Sequence, residues 1–479
     1  MNDAGSANKT AMQDVLERQR RAHINDGPPT AEQRIEWIDR AIGLLVDHKD
    51  EIADAMRRDF GHRSVDQSML TDVNGSIAPL KFAKNNLRKW MKPEKRKPTP
   101  WILNLFGAKC EIHYQPKGVV GVISPWNFPV QLTFGPLANI FAAGNRVMIK
   151  PSEFTPATAE LMKRLFAQAY DESEVAVFTG GPEVGQAFSS LPFDHLLFTG
   201  ATAIGRKVMM AAAENLVPVT LELGGKSPVV VGSDADVAAA AKRIMTGKMM
   251  NAGQICLAPD YVLTPKEKVD EFVAETQKAV TAMYPTLKDN PDYTSVINQR
   301  HYDRLMSYVE DAKAKGATVI EINPAGEDFS QQEAHRMPAY LILNPTDDMK
   351  VMQEEIFGPV MPVKTYDDVD EAIAYVNAHD RPLALYYFGP DADEEEKVLS
   401  FTTSGGVTVN DVIMHVSMED LPFGGIGPSG MGVYHGIDGF RTFSHAKAVY
   451  RQPKMDITAR MRPPYGSAFR KFVMSQIKR

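Results

Sequence analysis

Residues 118–129, GVVGVISPWNFP, have the pattern of a buried strand that ends in a turn. A run rich in β-branched residues is followed by two prolines and an asparagine, which are typical of turns. Residues 145–153, NRVMIKPSE, repeat this pattern and lead into a predicted helix from about Thr155. Strands that alternate with helices indicate βαβ units, so we predict an α/β fold with a mostly parallel sheet.

The same alternation extends along the chain. DHLLFTG (194–200) is predicted to be a strand, ATAIGRKVMMAAA (201–213) a helix, and VPVTLELGGKSPVVV (217–231) two short strands joined through Gly224 and Gly225. Because the strand pattern restarts near Gly224, we expect a change of domain there. Two further helices and a strand are predicted at 266–283, 302–315 and 317–322.

The region before residue 118 is predicted to be mostly helical. The polar first residues form a predicted arm, and Thr30 with Gln33 fits a capping box at the start of a helix. Apolar residues follow at helical spacing: Ile35, Ile38, Ile42 and Leu45. A second helix is predicted over 77–90. The basic, proline-rich segment MKPEKRKPTP (91–100) is predicted to be a surface linker.

The bulk composition narrows the class of protein. The chain has 479 residues, enough for two or more domains, and its 44% hydrophobic and 24% charged content is that of a globular protein. A net charge of -7 argues against a nucleic-acid-binding protein. Two cysteines exclude a disulfide framework and favour a reducing compartment. With no secretory signal pattern at the N-terminus and no apolar run that could span a bilayer, we expect a cytoplasmic protein.

Three residues have side chains suited to catalysis, and each also has an ordinary structural interpretation. Cys256, in NAGQICLAP (251–259), is a nucleophile if its pKa is lowered, whereas a lone cysteine is more often a buried structural residue. Glu222 ends an apolar strand, where it can be a partly buried general base or one half of a surface ion pair. Asn127 follows a strand, where it can donate to an oxyanion or simply form a turn.

Other residues have the position of phosphate or ribose ligands. Residues 198–205, FTGATAIG, place glycines at a strand-to-helix junction, where a helix N-terminus can hold a phosphate. Their spacing matches neither a P-loop nor the G-x-G-x-x-G fingerprint, and close packing of the helix on the strand is the alternative. Lys150 and Glu153 follow a strand, and Glu355 lies in EEIFGP (354–359). These three are candidate ribose ligands, or they are solvated surface residues.

Seven of these segments occur in one order, and together they closely resemble the aldehyde dehydrogenase superfamily over residues 35–449. They are SPWNFP (124–129), KPSE (150–153), FTGATAIG (198–205), LELGGKSP (221–228), NAGQIC (251–256), EEIFGP (354–359) and LPFGGIGPSGMG (421–432). GHRS (61–64) and PSGMGVYHGIDGFRTFSH (428–445) resemble the class 3 branch, and the coniferyl aldehyde dehydrogenases in particular.

The resemblance implies roles for individual residues. Cys256 is the implied nucleophile and Glu222 the general base, while Asn127 and the backbone N–H of Cys256 form the oxyanion hole. The implied ribose ligands of the cofactor are Lys150, Glu153 and Glu355. Gly200 and Gly205 would face the pyrophosphate, and Trp126 and Phe357 would line the cofactor site. No metal site is predicted. Many members have a polar residue where this chain has Ala201, which removes a side-chain donor to the pyrophosphate.

The resemblance also implies a domain organisation. We expect a Rossmann-like cofactor domain, an α/β catalytic domain with a small β oligomerisation arm, and a homodimer. Cys110, in the arm segment GAKCEIHYQPKG (107–118), is expected to be structural. The cofactor domain is expected at 1–106 with 118–223, and the catalytic domain at 224–424. The oligomerisation or bridging elements are expected at 107–117 and 425–450, and the basic C-terminal tail at 451–479.

The implied activity is oxidation of an aldehyde to its carboxylic acid with NAD(P)+, through a thiohemiacetal and a thioester on Cys256. Glu153 should repel a 2′-phosphate, which favours NAD over NADP. Apolar neighbours of the catalytic motifs suit an aromatic or aliphatic aldehyde, with coniferaldehyde the first expectation: Phe128, Leu132, Ile255 and Leu257.

Two other functions are weighed against this one. A coenzyme A-acylating relative does not need Glu222 as a base, and a non-catalytic protein on the same fold would be expected to have lost Cys256, Glu222 or Asn127. The tail from Arg451 carries eight Lys or Arg residues against Asp456 alone. It is expected to pack on its own dimer rather than on a membrane surface, although an apolar helical face is possible: Phe469, Phe472, Val473 and Ile477.

Overall fold

The computed structural model describes residues 3–454, 456, 459 and 462–477. Within these residues the strands form three sheets. The strands are β1 (Glu94–Arg96), β2 (Lys109–Pro116), β3 (Val119–Ile123), β4 (Arg146–Lys150), β5 (Val175–Val177), β6 (His195–Thr199), β7 (Val219–Glu222), β8 (Pro228–Val231), β9 (Tyr261–Pro265), β10 (Thr318–Ile322), β11 (Ala339–Leu343), β12 (Val360–Tyr366), β13 (Ala384–Phe388), β14 (Gly406–Val409), β15 (Gly430–Met431) and β16 (Ser444–Arg451).

Helices cover the sheets and connect most of the parallel strands. They are α1 (Asp3–Asp26), α2 (Ala31–Asp47), α3 (Lys49–Asp59), α4 (Val65–Ser68), α5 (Gly75–Trp90), α6 (Ile102–Leu105), α7 (Gln131–Ala143), α8 (Pro156–Ala169), α9 (Pro182–Ser189), α10 (Thr202–Ala213), α11 (Val237–Met249), α12 (Val269–Met283), α13 (Gln299–Ala314), α14 (Lys350–Gln353), α15 (Val369–Asn377), α16 (Ala392–Phe401), α17 (Gly436–Thr442) and α18 (Ser467–Gln476). Short non-α helices occur as well, a π-helix over Met69–Asn74 and 3₁₀ turns over Met250–Gly253, Lys266–Lys268 and Met414–Ser417.

The six-stranded sheet has the order β15-β7-β6-β3-β4-β5 and is parallel except for β15. Its strands are buried on both faces, which explains their nearly continuous apolar sequences. Val119 and Met148 face the layer of α1, α9 and α10, while Val120 and Val147 face the layer of α2, α5 and α7. The carboxyl ends of the four central strands therefore meet along one edge.

The seven-stranded sheet has the order β10-β11-β12-β9-β8-β13-β14 and is parallel except for β10. β7 and β8 are consecutive in the chain yet belong to different sheets, and residues 223–227 carry the chain between them. A mixed α/β fold with mostly parallel sheets is the predicted class, and the structure confirms it. The exact domain bounds given above remain a prediction.

The third sheet is antiparallel and joins segments that are far apart in sequence. β2 pairs along its whole length with β16, from Lys109 opposite Arg451 to Pro116 opposite Ser444, and with β1 on its other side. The predicted extended arm thus has its main partner more than three hundred residues later in the chain. The predicted linker over 91–100 is not wholly irregular, because residues 94–96 pair with β2.

The predicted N-terminal arm is wrong, because this segment is the helix α1. Met12, Val15 and Leu16 recur at helical spacing within a polar sequence, and all three are buried against the six-stranded sheet. Gln19 Nε2 also donates to the main-chain oxygen of Val147 at 3.1 Å. The apolar stripe is only one residue wide in places, so polar neighbours hide it in the sequence.

The helix predicted from Thr30 is confirmed down to its cap. The Thr30 side chain accepts from the N–H of Gln33, and the Gln33 side chain accepts from the N–H of Thr30. The tail contains α18, whose residues are exposed or half-buried. In the part of the chain that the structure describes, none of the helices has both the length and the apolar character needed to cross a membrane.

Candidate active site

The edge formed by the carboxyl ends of the six-stranded sheet gathers most of the predicted site residues. From one side of the sheet to the other, β7 ends at Glu222, β6 leads to Gly200, β3 leads to Asn127 and β4 ends at Lys150. In parallel α/β sheets this edge is where ligands bind. Cys256 follows the 3₁₀ turn over Met250–Gly253 in the second half of the chain.

Cys256 and Asn127 are brought together by the main chain of the nucleophile segment. Asn127 is buried, and its Nδ2 donates to the carbonyl of Gln254, two residues before Cys256, at 3.1 Å. A primary amide has two N–H bonds, so one remains for another acceptor. The arrangement can therefore present an amide donor next to the thiol.

The Cys256 thiol is protonated in the free site. Burial, together with the carboxylates of Glu355 and Glu222, raises the pKa of the thiol to about 12. The N–H groups of Cys256 and Leu257 act in the opposite direction and lower the pKa. A nucleophilic thiolate consequently needs a base, or a change in the surrounding charge, before it can attack.

Glu222 is a buried carboxyl group with an unsatisfied hydrogen-bonding capacity. Within the described residues, neither of its carboxylate oxygens has a hydrogen-bond partner. Burial raises the pKa of Glu222 well above its ordinary value. Buried polar groups of this kind are rare in proteins and need a functional or solvent partner. A carboxyl group of raised pKa beside a thiol is suited to proton transfer.

The turn before Cys256 is strained, and the sequence analysis did not detect it. Asn251 and Ala252 adopt left-handed φ angles of 50° and 52°, and Gly253 continues the turn at φ 74°. Gln254 holds the turn from the other end, with Nε2 donating to the carbonyls of Asn251 at 2.9 Å and Ser295 at 3.0 Å. Left-handed residues other than glycine cluster at functional sites, where the surroundings hold them in place.

Lys150 and Glu153 form an ion pair at the end of β4. Lys150 Nζ lies 2.7 Å from the Glu153 carboxylate, and Lys150 is buried whereas Glu153 is more accessible. A Cβ placed on Gly185 of α9 would come 3.9 Å from Lys150 Cε, an ordinary van der Waals contact, so α9 packs beside the lysine. A paired lysine and glutamate at this edge can donate to and accept from ribose hydroxyls.

The two predicted glycines at the start of α10 have different surroundings. Gly200 N–H donates to the carbonyl of Glu222 at 3.0 Å. A Cβ on Gly205 would come 2.6 Å from Leu223 Cδ2, so Gly205 allows the helix to pack closely on the sheet. Ala201 is the N-cap and has no side-chain acceptor for the first turn. Its main-chain oxygen accepts from the N–H groups of Ile204 and Gly205, both at 2.9 Å, so the N–H groups of Thr202 and Ala203 are left for an anion.

Trp126, Phe357 and Glu355 lie near the carboxyl ends of the strands in the six-stranded sheet. The Trp126 ring contacts the Phe357 ring edge-on, with 5.4 Å between centroids. The Glu355 carboxylate lies against Gly224, where any Cβ would collide with it. Burial raises the pKa of Glu355 to about 8. Glu355 occupies this position because Gly224 lacks a side chain, and from there its charge raises the pKa of Cys256.

A buried ion pair anchors the segment that carries Glu355, and the sequence analysis missed it. Lys226 pairs with Asp260 and donates to main-chain oxygens of residues 351 and 354 at 2.8 and 2.9 Å. Asp260 also accepts from the N–H of Ile356 at 2.9 Å. Lys226 lies within the quoted LELGGKSP motif, so its position was visible although its role was not.

Aromatic side chains lie close to the nucleophile. The Tyr386 hydroxyl donates to the Leu257 carbonyl at 2.5 Å, and burial raises the pKa of Tyr434, with smaller contributions from nearby Glu222 and Cys256. Phe423 packs edge-on against Tyr434. Tyr434 belongs to the VYHG part of a quoted motif, but no role was predicted for it.

The predicted apolar residues are buried near the same centre: Phe128, Leu132, Ile255 and Leu257. The Phe128 ring also contacts Arg63, whose guanidinium carbon lies 5.2 Å from the ring centroid. The residues predicted to hold a cofactor thus fit a dinucleotide. They supply an uncapped helix end for phosphates, polar pairs for hydroxyls and aromatic rings for a flat group.

Known proteins with similar sequences are named as aldehyde dehydrogenases. Residues 4–449 match the Aldehyde dehydrogenase family. The chain is 67% identical over 481 residues to a probable coniferyl aldehyde dehydrogenase of Caulobacter vibrioides, with 100% of this chain and 99% of the relative covered. It is 56% identical over 456 residues to coniferyl aldehyde dehydrogenase of a Pseudomonas species, with coverage of 95% and 94%. Rat aldehyde dehydrogenase family 3 member B1 is 38% identical over 464 residues, with 95% of each chain covered.

Solved structures agree with the sequence comparison. The substrate-bound state of Staphylococcus aureus AldH matches with a TM-score of 0.91 and 35% identity, covering 98% of this chain and 99% of that one. An aldehyde dehydrogenase of Mycobacterium tuberculosis, complexed with NAD+, matches with a TM-score of 0.81 and 29% identity, covering 92% and 90%. The predicted resemblance to this family and to its class 3 branch is confirmed. The chain belongs to the aldehyde dehydrogenase family, and it is an enzyme that oxidises aldehydes with NAD(P)+ as the acceptor.

Proposed function

We propose that this enzyme converts an aromatic aldehyde such as coniferaldehyde into its carboxylic acid by covalent catalysis at Cys256. The observation that carries the proposal is the Glu222 carboxyl group, which is buried and has no hydrogen-bond partner among the described residues, close to a thiol whose loop also binds Asn127. A nucleophile, a base and an oxyanion donor then converge on one reacting carbon.

The first step is attack of the Cys256 sulfur on the aldehyde carbon. Glu222 takes the thiol proton, the carbon–sulfur bond forms, and the carbonyl electron pair moves onto oxygen as a thiohemiacetal oxyanion. Asn127 Nδ2 and the N–H of Cys256 donate to that oxyanion. A donor of this kind typically lowers the barrier by about 3–4 kcal/mol.

The second step is oxidation of the same carbon. As the oxyanion re-forms the carbonyl, the carbon gives up a hydride, for which NAD(P)+ is the acceptor, and a thioester remains on Cys256. Lys150 and Glu153 would hold one ribose, Glu355 the other, and the N-terminus of α10 with Gly200 the pyrophosphate. Trp126 and Phe357 would line the same site. The packing around Gly205 supports an indirect contribution, through the position of α10.

The third step releases the acid by hydrolysis. Glu222 first releases the proton taken from the thiol to solvent, and the ionised carboxylate then removes a proton from water, whose oxygen attacks the thioester carbon while the Cys256 sulfur leaves as a thiolate. A carboxyl group of raised pKa is a stronger base when ionised than an ordinary glutamate. Transfer to coenzyme A needs no such base, so the buried Glu222 favours hydrolysis over the acylating alternative.

The preferred cofactor is proposed to be NAD. Glu153 lies at the end of β4 with its carboxylate on Lys150, and a negative charge there repels a 2′-phosphate. The lysine partner offsets part of this charge, so we expect NADP to be used with lower efficiency rather than rejected. Comparison of kcat/KM for the two cofactors tests this, and a preference for NADP would refute it.

The substrate class is inferred from two independent supports. Two relatives that cover nearly the whole chain are named for coniferyl aldehyde. The nucleophile is flanked by the rings of Tyr386 and Tyr434 and by Phe423, which suit a planar aromatic aldehyde. A panel of aldehydes with NAD+ should give the highest kcat/KM for cinnamaldehyde-type compounds. Short-chain or carboxylated aldehydes far ahead of them would contradict the proposal.

The assembly is proposed to be a homodimer built on the three-stranded sheet. Trp101, Leu105 and Phe106 precede β2 with 71%, 70% and 47% of their surface exposed, and a group of large apolar residues within six positions of the chain favours an interaction surface. The predicted arm at 107–117 and the segment 425–450 would form the contact between the two subunits. The cofactor domain would comprise 1–106 and 118–223, and the catalytic domain 224–424. The tail, 451–479, is proposed to pack on the dimer, and co-sedimentation with liposomes would contradict that.

A further inference from the structure

A buried polar network lies directly behind Asn127. Arg63 Nη1 donates to the Asn127 carbonyl at 2.7 Å and to Asn251 Oδ1 at 3.0 Å, while Nη2 donates to Asp72 Oδ2 at 2.6 Å. Arg63, Asp72 and Asn251 are each 0% exposed. Arg63 belongs to the GHRS segment, which none of the proposed catalytic steps uses.

The network holds both parts of the proposed oxyanion site at once. Asn251 Nδ2 donates to the Asn127 carbonyl at 3.0 Å and to the Gln254 carbonyl at 3.2 Å. Asn127 Nδ2 donates to that same Gln254 carbonyl. The Arg63 guanidinium therefore touches the main chain of the amide donor and the side chain that stabilises the strained turn before Cys256.

Asp72 connects this network to the start of α7. Its second oxygen accepts from the N–H groups of Val130 and Gln131, both at 3.3 Å. Asp72 lies in the π-helix over Met69–Asn74, a type of turn that is frequent at functional sites. The segment 127–131, which follows β3, is thus fixed by Arg63 at one end and by Asp72 at the other.

A fully buried ion pair is a costly way to fix a loop. Burial raises the pKa of Asp72 and lowers the pKa of Arg63, although each group faces the opposite charge. Buried pairs of this kind often add no stability compared with apolar residues of similar size, so their geometry is a better explanation for them. The rings of Phe60 and Phe128 lie 4.7 and 5.2 Å from the guanidinium carbon and keep its plane in place.

We propose that Arg63 is a positioning residue that sets the register between Asn127 and the Cys256 turn, so that the free Nδ2 hydrogen of Asn127 and the Cys256 sulfur reach the same aldehyde group. This proposal rests on the proposed roles of Asn127 and Cys256. The planar guanidinium serves three acceptors that diverge from one another. A lysine ammonium has no such fixed fork and does not replace it.

The test compares Arg63→Lys with Arg34→Lys in the full-length enzyme. Arg34 is also a buried arginine, with Nη1 donating to the Ala142 carbonyl at 2.7 Å and Nε to the Pro29 carbonyl at 3.0 Å, and both acceptors lie outside the site. The readout is the single-turnover rate constant of NADH formation with enzyme in excess over coniferaldehyde. The midpoint of thermal unfolding and the Kd for NAD+ are measured alongside.

Arg63→Lys should lower the rate constant by about 10- to 100-fold, since a misplacement on the order of 1 Å at a reacting group has effects of this size. The Kd for NAD+ should stay within about twofold of the wild-type value, because Arg63 touches none of the proposed cofactor residues. Arg34→Lys should leave the rate constant within about twofold at a comparable loss of stability. Equal effects of the two substitutions, or an unchanged rate in Arg63→Lys, would overturn the proposal.

A double-mutant cycle separates this proposal from the proposed function. In an Asn127→Ala background, Arg63→Lys should lower the rate constant by a clearly smaller factor than in the unaltered enzyme, because the part of its effect that acts through the Asn127 amide is already lost. Independent, multiplying effects overturn the positioning role alone. A wild-type rate in Asn127→Ala instead refutes the proposed role of Asn127. If Arg63→Lys does not fold, Asp72→Asn takes its place, since it keeps the shape and removes the charge that holds Arg63, and a wild-type rate in that variant also overturns the proposal.

Discussion

Cys256 is a thiol whose surroundings oppose its ionisation. Burial and two carboxylates raise its pKa, and the nearby N–H groups only partly compensate. Such a thiol is protected from stray electrophiles until substrate and cofactor change its environment. The neighbouring acids have their own raised pKa values, so the proton is shared within a group rather than held by one residue.

The charge of Glu355 should be visible in the reactivity of the thiol. Because the Glu355 carboxylate raises the pKa of Cys256, Glu355→Gln should lower that pKa and speed alkylation by iodoacetamide. The pKa of Glu355 is raised to about 8, so the carboxylate is mostly protonated below that pH. The difference from wild type should therefore widen as the pH rises above about 8.

Alkylation rates from pH 7 to 10, with no cofactor added, provide the measurement. Glu354→Gln is a matched control, since the Glu354 carboxylate accepts from the Tyr308 hydroxyl at 2.6 Å, and the carboxylates that raise the pKa of Cys256 are those of Glu355 and Glu222. It should alkylate at the wild-type rate. Slower alkylation of Glu355→Gln, or no difference at any pH, would be inconsistent with this electrostatic account.

Among the secondary-structure elements, α10 and β7 show how packing and binding share one junction. Gly205 lets α10 approach Leu223, and this close approach fixes where the N-terminus of the helix lies relative to the sheet edge. A glycine in a cofactor motif can thus matter without touching the cofactor. The sequence interpretation of this motif had both alternatives, and the contacts of Gly205 favour packing.

Gly205→Ala should destabilise the fold. The added Cβ would lie 2.6 Å from Leu223 Cδ2, and overpacking of this kind costs about 1–3 kcal/mol of unfolding free energy, of which the better helix propensity of alanine recovers about 0.5–1 kcal/mol. Gly43→Ala is the control, because Gly43 lies inside α2 with open space around its Cβ position. That change should stabilise the protein by about 0.5–1 kcal/mol. Urea unfolding measures both, and a neutral Gly205→Ala would show that the junction tolerates a side chain.

The helices α1 and α2 show which structural features the sequence predicts and which it does not. Thr30 and Gln33 form their capping box because that pattern depends on neighbours only three residues apart. Met12, Val15 and Leu16 were overlooked because a narrow stripe on a polar helix becomes meaningful only against the sheet that covers it.

Contacts over long sequence separations were the other missing part. The hydrogen bonds of Arg63 reach residues 64 and 188 positions away, so no local pattern indicates them. The strained Asn251 and Ala252 gave no signal either, since alanine has no preference for left-handed φ. The candidate catalytic residues were predicted through their motifs, whereas the groups that position them required the fold.

In the molecule as a whole, the three-stranded sheet has fewer buried residues than either of the other two sheets. β16 has mostly exposed residues, and large apolar side chains lie beside β2. Two sheets with buried cores and one exposed arm suggest that assembly completes the fold. The arm pairs segments from both ends of the chain, so a dimer contact there would stabilise both.

Light scattering should give a mass of twice the 53.0 kDa of the chain. Leu105→Glu places a charge on the exposed patch and should shift the protein toward monomer, since a buried unpaired charge opposes association. Met210→Glu, at a position of α10 that is 72% exposed and lies outside both the arm and the tail, is the control for a charge placed elsewhere and should have a smaller effect. A monomer at all concentrations in the unaltered protein would contradict the proposed assembly.

The central claim is that Glu222 deacylates a thioester formed on Cys256. The most direct measurement mixes Glu222→Gln with NAD+ and coniferaldehyde, follows NADH, and then quenches and digests the protein for mass spectrometry. The account predicts about one NADH per site, little further turnover, and an acyl group on the peptide that contains Cys256. Cys256→Ser should give neither. Full steady turnover by Glu222→Gln, or NADH formed without an adduct on Cys256, would contradict it.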